Sequence, residues 1–135
     1  MIIDSSAICA CLFKEPEEST IIRTLAASAS NRISAPTLVE LQAVIEHRNP
    51  RLSLALNRLL AVHHIVVTDF TAEQAAVARE AYRIYGKASK HKANLNMGDC
   101  FSYALAITSG EPLLYVGDDF KYTDVPSALK TPAAP

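Results

Sequence analysis

Four short apolar runs punctuate the chain: MII at its start, ISA after Asn31 and Arg32, then HIVVT, then LLYV, with stretches of helical character between them. Runs so short and so apolar read as strands inside a core. The stretches between them are far longer than hairpin turns, and parallel neighbours require a crossover long enough to hold a helix. The expected fold is therefore α/β, a three-layer α/β/α sandwich with a mostly parallel central sheet. Local punctuation agrees. Ser5 or Ser6 can cap a helix through Leu12, and Pro16 suits the first position of the next, EPEESTIIRTLAA. APTLVELQAVIEH follows the second strand and RLSLALNRLLAV precedes the third. TAEQAAVAREAYRIYG opens with Thr71 and Gln74 at capping-box spacing and stops at Gly86, and DCFSYALAITSG stops at Gly110.

A chain of 135 residues suits one domain, expected over residues 1–130, with the Pro- and Ala-rich residues 131–135 as a flexible C-terminal tail. Because 50% of the residues are apolar and 20% charged, the composition is that of a folded protein rather than a disordered one. A net charge of −1 exerts no global pull on nucleic acid, so any basic surface must be local. Nothing approaches the ~18 apolar residues of a membrane span, and no charged leader precedes an apolar stretch. A cytoplasmic protein without membrane contact is expected. Cys9, Cys11 and Cys100 form no CxxC, and His47, His63, His64 and His91 show no ligand spacing. Those patterns argue against a disulfide framework and against zinc. Metal chemistry, where present, has to use oxygen.

The oxygen donors are placed suggestively. Asp4 directly follows the first apolar run, with no basic residue before Lys14 to pair with it. Glu40 lies in the expected first turn of the helix after the second strand, Asp99 opens the last helix, and Asp118 and Asp119 end the fourth strand. A parallel sheet gathers such strand ends at one edge, where sites in α/β folds form. Singly, each acid has a structural reading: Thr37 and Glu40 have capping-box spacing, Asp99 favours a helix dipole, and Asp119 can cap a turn. Jointly they are harder to explain that way. Two carboxylates ~4 Å apart repel by about 1 kcal/mol in water and about 4 kcal/mol at an effective dielectric of 20, unless a cation lies between them. Carboxylate oxygens suit Mg²⁺ or Mn²⁺, whose usual chemistry is phosphoryl transfer.

MIIDSSAI, APTLVEL, LNMGDCFSYALA and LLYVGDDFKYTDV, in that order, resemble the motifs of PIN-domain ribonucleases, specifically the VapC-like toxins of type II toxin–antitoxin pairs. The similarity runs from residue 1 to about 130. It implies a Mg²⁺- or Mn²⁺-dependent endoribonuclease that hydrolyses RNA, a VapB-like antitoxin as partner, and a homodimer. It also implies that Asp4, Glu40 and Asp99 are catalytic, metal-binding acids. The fourth acid is Asp118 or Asp119, with Asp118 preferred because it directly follows Gly117 at the strand end. Ser6 and Asn96 are candidates for orienting Asp4 and Asp99, in competition with plain helix capping.

Lys87, Lys90, His91 and Lys92 form a basic run just before Asp99. On a rim around an acidic centre such cations can grip RNA phosphates without reading sequence; otherwise the run is a solvated loop. Arg48 and Arg51 are candidates to extend it. Two rival functions remain open at this level: a non-catalytic α/β binding module, and an acid-centred phosphotransfer protein. A haloacid-dehalogenase-type phosphatase wants a second aspartate two residues after Asp4, where this chain has Ser6, and no lysine follows the last strand until Lys121.

Overall fold

Burial on both sides explains the doublet Ile2–Ile3. Successive strand residues point to opposite faces. Ile2 joins one apolar cluster with Leu105, Leu113 and Phe120, while Ile3 joins another with Ile8, Ile33, Leu41 and Leu114. The structure, a computed structural model, describes residues 1–129, so residue 130 and the expected tail at 131–135 lie outside the described residues.

Strands β1 (Ile2–Ile3), β2 (Asn31–Ser34), β3 (Ile65–Thr68) and β4 (Leu113–Leu114) form one sheet in the order β3-β2-β1-β4, with every pairing parallel. Helices α1 (Ser5–Leu12), α2 (Glu18–Ala27), α3 (Ala35–Arg48) and α4 (Ser53–Val62) supply Ile8, Ile21, Leu41 and Leu56 to the cluster on one face. Helices α5 (Ala72–Tyr85) and α6 (Met97–Ser109) supply Ala78, Ala81 and Leu105 to the other. The three-layer α/β/α sandwich with a parallel sheet is therefore as the sequence implies. Chain direction explains the two layers. Winding proceeds outward from β1 through β2 to β3, then reverses past β1 to β4. Right-handed crossovers in opposite directions cover opposite faces. The reversal leaves a crevice at the carboxyl ends of β1 and β4, the usual place for a site.

Several helix boundaries depart from expectation. The cap of α1 is Asp4, whose Oδ2 accepts from the Ser6 backbone N–H, so neither Ser5 nor Ser6 is the cap. Helix α2 begins at Glu18, leaving Pro16 in the preceding turn, where the Glu15 N–H still reaches back to the Ala10 carbonyl at 2.9 Å. Only half of the Thr71 capping box forms: Thr71 Oγ1 accepts from the Gln74 N–H, but the Gln74 side chain donates to the Asp69 carbonyl. Gly110 ends α6 in the left-handed region at φ 65°, whereas Gly86 has an ordinary φ of −72°. Gly86 is needed for space instead, since a Cβ there would overlap the Tyr82 carbonyl.

Candidate active site

Asp4 is 2% exposed at the end of β1, with its backbone N–H held by the Leu114 carbonyl at 3.0 Å. Its Oδ2 accepts from both the N–H (3.0 Å) and the hydroxyl (2.7 Å) of Ser6. The same hydroxyl accepts from the Val116 N–H at 3.0 Å. Ser6 thus locks the Asp4 carboxylate to the strand beside it, and the cap of α1 and the orientation of the acid are one interaction.

Glu40 is the sixth residue of α3, so it belongs to the second turn rather than the first. The capping box with Thr37 does not form, because Thr37 Oγ1 lies 3.3 Å from Ser102 Oγ of α6. Both hydroxyls are fully buried, Thr37 one helical turn before Glu40 and Ser102 one helical turn after Asp99, on helix faces that the acids share. The Glu40 carboxylate lies directly over Gly98, where a Cβ would overlap its Oε2. Burial raises the Glu40 pKa, the nearby Asp4 charge adds to the rise, and the Ser5 hydroxyl offsets part of it.

Asp99 is 9% exposed at the third position of α6. It completes a capping box with Asn96: its Oδ2 accepts from the Asn96 N–H at 2.9 Å, and Asn96 Oδ1 accepts from its own N–H at 2.8 Å. The structural reading of Asp99 is therefore correct as geometry, yet it leaves a carboxylate with raised proton affinity. Burial pushes the Asp99 pKa up to about 7, against the lowering effect of the Asn96 N–H, and the charges of Asp4, Asp119 and Glu40 push in the same direction as burial.

The loop after β4 places the two candidates for the fourth acid differently. Gly117 adopts φ 96° and Phe120 is buried at 1% exposure. Asp118, with its side chain 79% exposed, lies 3.2 Å from Lys121 Nζ. Asp119 is the one coupled to the other acids: its pKa is raised by burial and then by Asp4 and Asp118, with Lys87 offsetting part of the rise.

Asp4, Glu40, Asp99 and Asp119 thus come from four separate elements to one edge, and no salt bridge among the described residues involves any of them. Their spacing is open. Among the described residues no group of three or more His, Cys, Asp or Glu side chains lies close enough together to hold a metal ion as it stands. An all-carboxylate set of this kind fits a hard divalent ion that keeps several of its waters, and does not fit zinc, which favours a compact nitrogen or sulfur shell. The hydroxyl of Ser34, fully buried at the end of β2, has no hydrogen-bond partner among the described residues and is a further oxygen at this edge.

The basic run divides. Lys87 is close enough to Asp119 to ease its charge, and Lys92 Nζ stands 4.5 Å from the Tyr122 ring centroid. Lys90 is exposed in the left-handed conformation at φ 61°. His91 is tied into its own loop through one ring nitrogen. Its Nδ1 accepts from the Ala93 N–H at 3.0 Å and its ring meets Tyr85 edge-on, so it shapes the loop itself. Arg48 is stacked over Phe13 at 3.6 Å. Sequence reasoning missed Gly98 and the Thr37–Ser102 pair; the available signal was their position next to, or three residues from, an acid.

Comparison with known proteins identifies the family. The PIN domain family matches residues 1–126. Ribonuclease VapC42 of Mycobacterium tuberculosis is 47% identical over 126 residues, covering 93% of this chain and 96% of that protein. Two solved structures share the fold. The M. tuberculosis toxin VapC20, described as cleaving the sarcin–ricin loop, superposes with a TM-score of 0.72 at 19% identity, covering 92% of this chain and 95% of that one. A toxin–antitoxin complex from Klebsiella pneumoniae gives 0.62 at 18%, covering 96% and 98%. Matched by the family along most of its length and sharing nearly half its residues with a named ribonuclease, the chain belongs to the PIN-domain family and, within it, to the VapC ribonucleases.

Proposed function

We propose that the protein is an endoribonuclease toxin that hydrolyses RNA phosphodiester bonds at the edge formed by Asp4, Glu40, Asp99 and Asp119. PIN-domain ribonucleases generally depend on a divalent metal. Here Mg²⁺ or Mn²⁺ is assigned to those four acids, with Asp119 rather than Asp118 as the fourth. The single observation that carries the reading is that four carboxylates from separate elements converge without a cationic side chain paired to any of them, and that three of them have raised proton affinity.

When bound, the ion lowers the pKa of a water and offsets charge developing on the phosphate. The chain's own groups prepare that chemistry. Ser6 fixes the rotamer of Asp4, Asn96 fixes that of Asp99, and Gly98 admits the Glu40 carboxylate beside them. Burial of Asp4 and Asp99 keeps bulk water from screening the site. Lys87 stands where it moderates the negative field that a polyanionic substrate meets.

No helix among the described residues is long and apolar enough to cross a membrane. The same reading assigns the protein a cytoplasmic location, a homodimer, and a VapB-like antitoxin that silences it, supported by the fold shared with a toxin–antitoxin complex. Exposed Tyr82, Ile84 and Met97 supply apolar surface for protein partners. The test is cleavage of end-labelled RNA with Mg²⁺, with Mn²⁺ and with excess chelator. Asp4→Asn, Glu40→Gln, Asp99→Asn and Asp119→Asn are expected to lose activity by about 100-fold or more, beyond the ~10–100-fold typical of outer-shell losses at metal sites. Undiminished cleavage in chelator, with metal removal verified, counts against the mechanism.

A further inference from the structure

Tyr122 lies in the loop after β4, three residues beyond Asp119, and is 39% exposed. Two ammonium groups from distant parts of the chain converge on its ring. Lys92 Nζ stands 4.5 Å from the ring centroid and Lys121 Nζ stands 5.0 Å from it. Attraction of ammonium groups to the ring quadrupole accounts for each contact singly. Together they place two like charges around one ring on the rim of an acidic site, an arrangement whose natural complement is an anion.

Both loops are anchored, so the convergence is built in. In the first, the Lys87 N–H bonds the Leu95 carbonyl at 3.0 Å, the Leu95 N–H bonds the Tyr85 carbonyl at 2.9 Å, and Leu95 is fully buried. In the second, Phe120 is buried, the Thr123 hydroxyl donates to the Phe120 carbonyl at 2.8 Å, and Tyr103 of α6 donates its hydroxyl to Asp124. One anion is already held there. Asp118 pairs with Lys121 at 3.2 Å, and the pair is exposed on both sides, with side chains 79% and 47% accessible. Exposed pairs of this kind are weakly held and readily exchanged.

We propose that Lys92 and Lys121, gathered by Tyr122, form a subsite for a backbone phosphate of RNA flanking the one to be cut, and that Asp118 occupies Lys121 until that phosphate displaces it. This rests on the endoribonuclease reading for the identity of the anion. Asp118 and Asp119, adjacent in sequence, then serve opposite ends of the site: Asp119 faces the acids and Asp118 restrains a phosphate ligand. Tyr122 acts through the lysines rather than as a surface for stacking bases.

Binding of a fluorescently labelled single-stranded RNA in chelator, across a salt series, tests this without any cleavage. Lys92→Gln and Lys121→Gln are each expected to weaken binding and to reduce the slope of log affinity against log salt by about 0.7, the value for one contact to a single strand. Tyr122→Leu is expected to weaken binding several-fold, whereas Tyr122→Phe, which keeps the ring and loses only the hydroxyl beside Lys121, is expected to weaken it less. Asp118→Asn is expected to bind several-fold more tightly, because it releases Lys121. Lysine variants with unchanged slopes overturn the proposal, as does a loss confined to Tyr122→Leu, which marks a stacking platform instead. Wild-type affinity in Asp118→Asn overturns the part given to that residue. Metal-dependent cleavage by the wild type, measured separately, keeps the two readings apart. Cleavage with unchanged binding in the variants removes the subsite alone, and the expected binding pattern without cleavage removes the nuclease reading alone.

Discussion

Gly98 shows how much a single residue decides at this site. It occupies the second position of α6, where glycine is a poor helix former and alanine is better by up to ~1 kcal/mol. What demands glycine is the carboxylate of Glu40, which lies where a Cβ would stand. Gly98→Ala therefore sets a local gain in helix propensity against displacement of an acid from another helix. The expected outcome is a protein whose melting temperature in chelator is close to that of wild type, but whose Mn²⁺ affinity and RNA cleavage fall toward those of Glu40→Gln. Calorimetric titration of Mn²⁺ into Gly98→Ala checks this, and wild-type binding would show that Glu40 can act from a different position. Ser6 illustrates the same economy. One hydroxyl accepts from the Val116 N–H and donates to Asp4, so the serine that looked like a helix cap joins strand, helix and acid.

Among the elements, α6 and the loop after β4 carry the contrast between what is positioned locally and what is positioned by packing. Asp99 is fixed by Asn96, three residues away, whereas Asp119 has its place only because Phe120 is buried and because Tyr103 donates its hydroxyl to Asp124. Tyr103→Phe removes that last tie at a cost of about 1 kcal/mol. The loop is then expected to hold Asp119 less firmly, so Mn²⁺ affinity should drop in the wild-type background and be unaffected in Asp119→Asn. A double-mutant cycle read by calorimetry separates this from a general loss of stability, which would lower affinity equally in both backgrounds. The difference between the two acids also accounts for what the sequence made legible. The four apolar runs, the stop at Gly110 and the cap at Thr71 are encoded by neighbours in the chain, and each was readable. Asp4, Glu40 and Asp99 were readable as candidates because a parallel sheet collects strand ends. The coupling of Asp119 to the other acids and the need for Gly98 both depend on contacts between distant segments, which no local pattern records.

For the molecule as a whole, gathering acids without cations makes the metal-free protein sensitive to pH in an unusual direction. Asp99 has a pKa of about 7 in the folded state against 3.8 for an ordinary aspartate, and Glu40 and Asp119 are raised as well. The folded protein therefore binds protons more tightly than the unfolded chain, and stability falls as pH rises between those values. Below the ordinary carboxylate range the penalty is absent; above about 7 it is complete. Each tenfold difference in proton affinity is worth ~1.4 kcal/mol, shared here among coupled groups that titrate as a set. Glu111 works the other way, its pKa lowered by hydrogen bonds from the amino-terminal ammonium and Arg32, but its contribution is lost only on acidification through that lowered value. Between pH 5 and 8 the acids of the site decide the sign. In chelator, the melting temperature is expected to rise by several degrees as pH is lowered from 8 to 5. Asp99→Asn should flatten that rise, since its amide oxygen can still accept from the Asn96 N–H while the buried charge is gone. Saturating Mn²⁺ competes with those protons, so the stabilisation it adds should instead grow with pH and shrink in Asp99→Asn. Melts at pH 5, 6, 7 and 8, with chelator and with Mn²⁺, on both proteins, resolve the opposing slopes. A wild-type protein whose metal-free stability is level across this range does not hold these acids as a repelling cluster, and the assignment of Asp99 to a cation would then lose its physical basis.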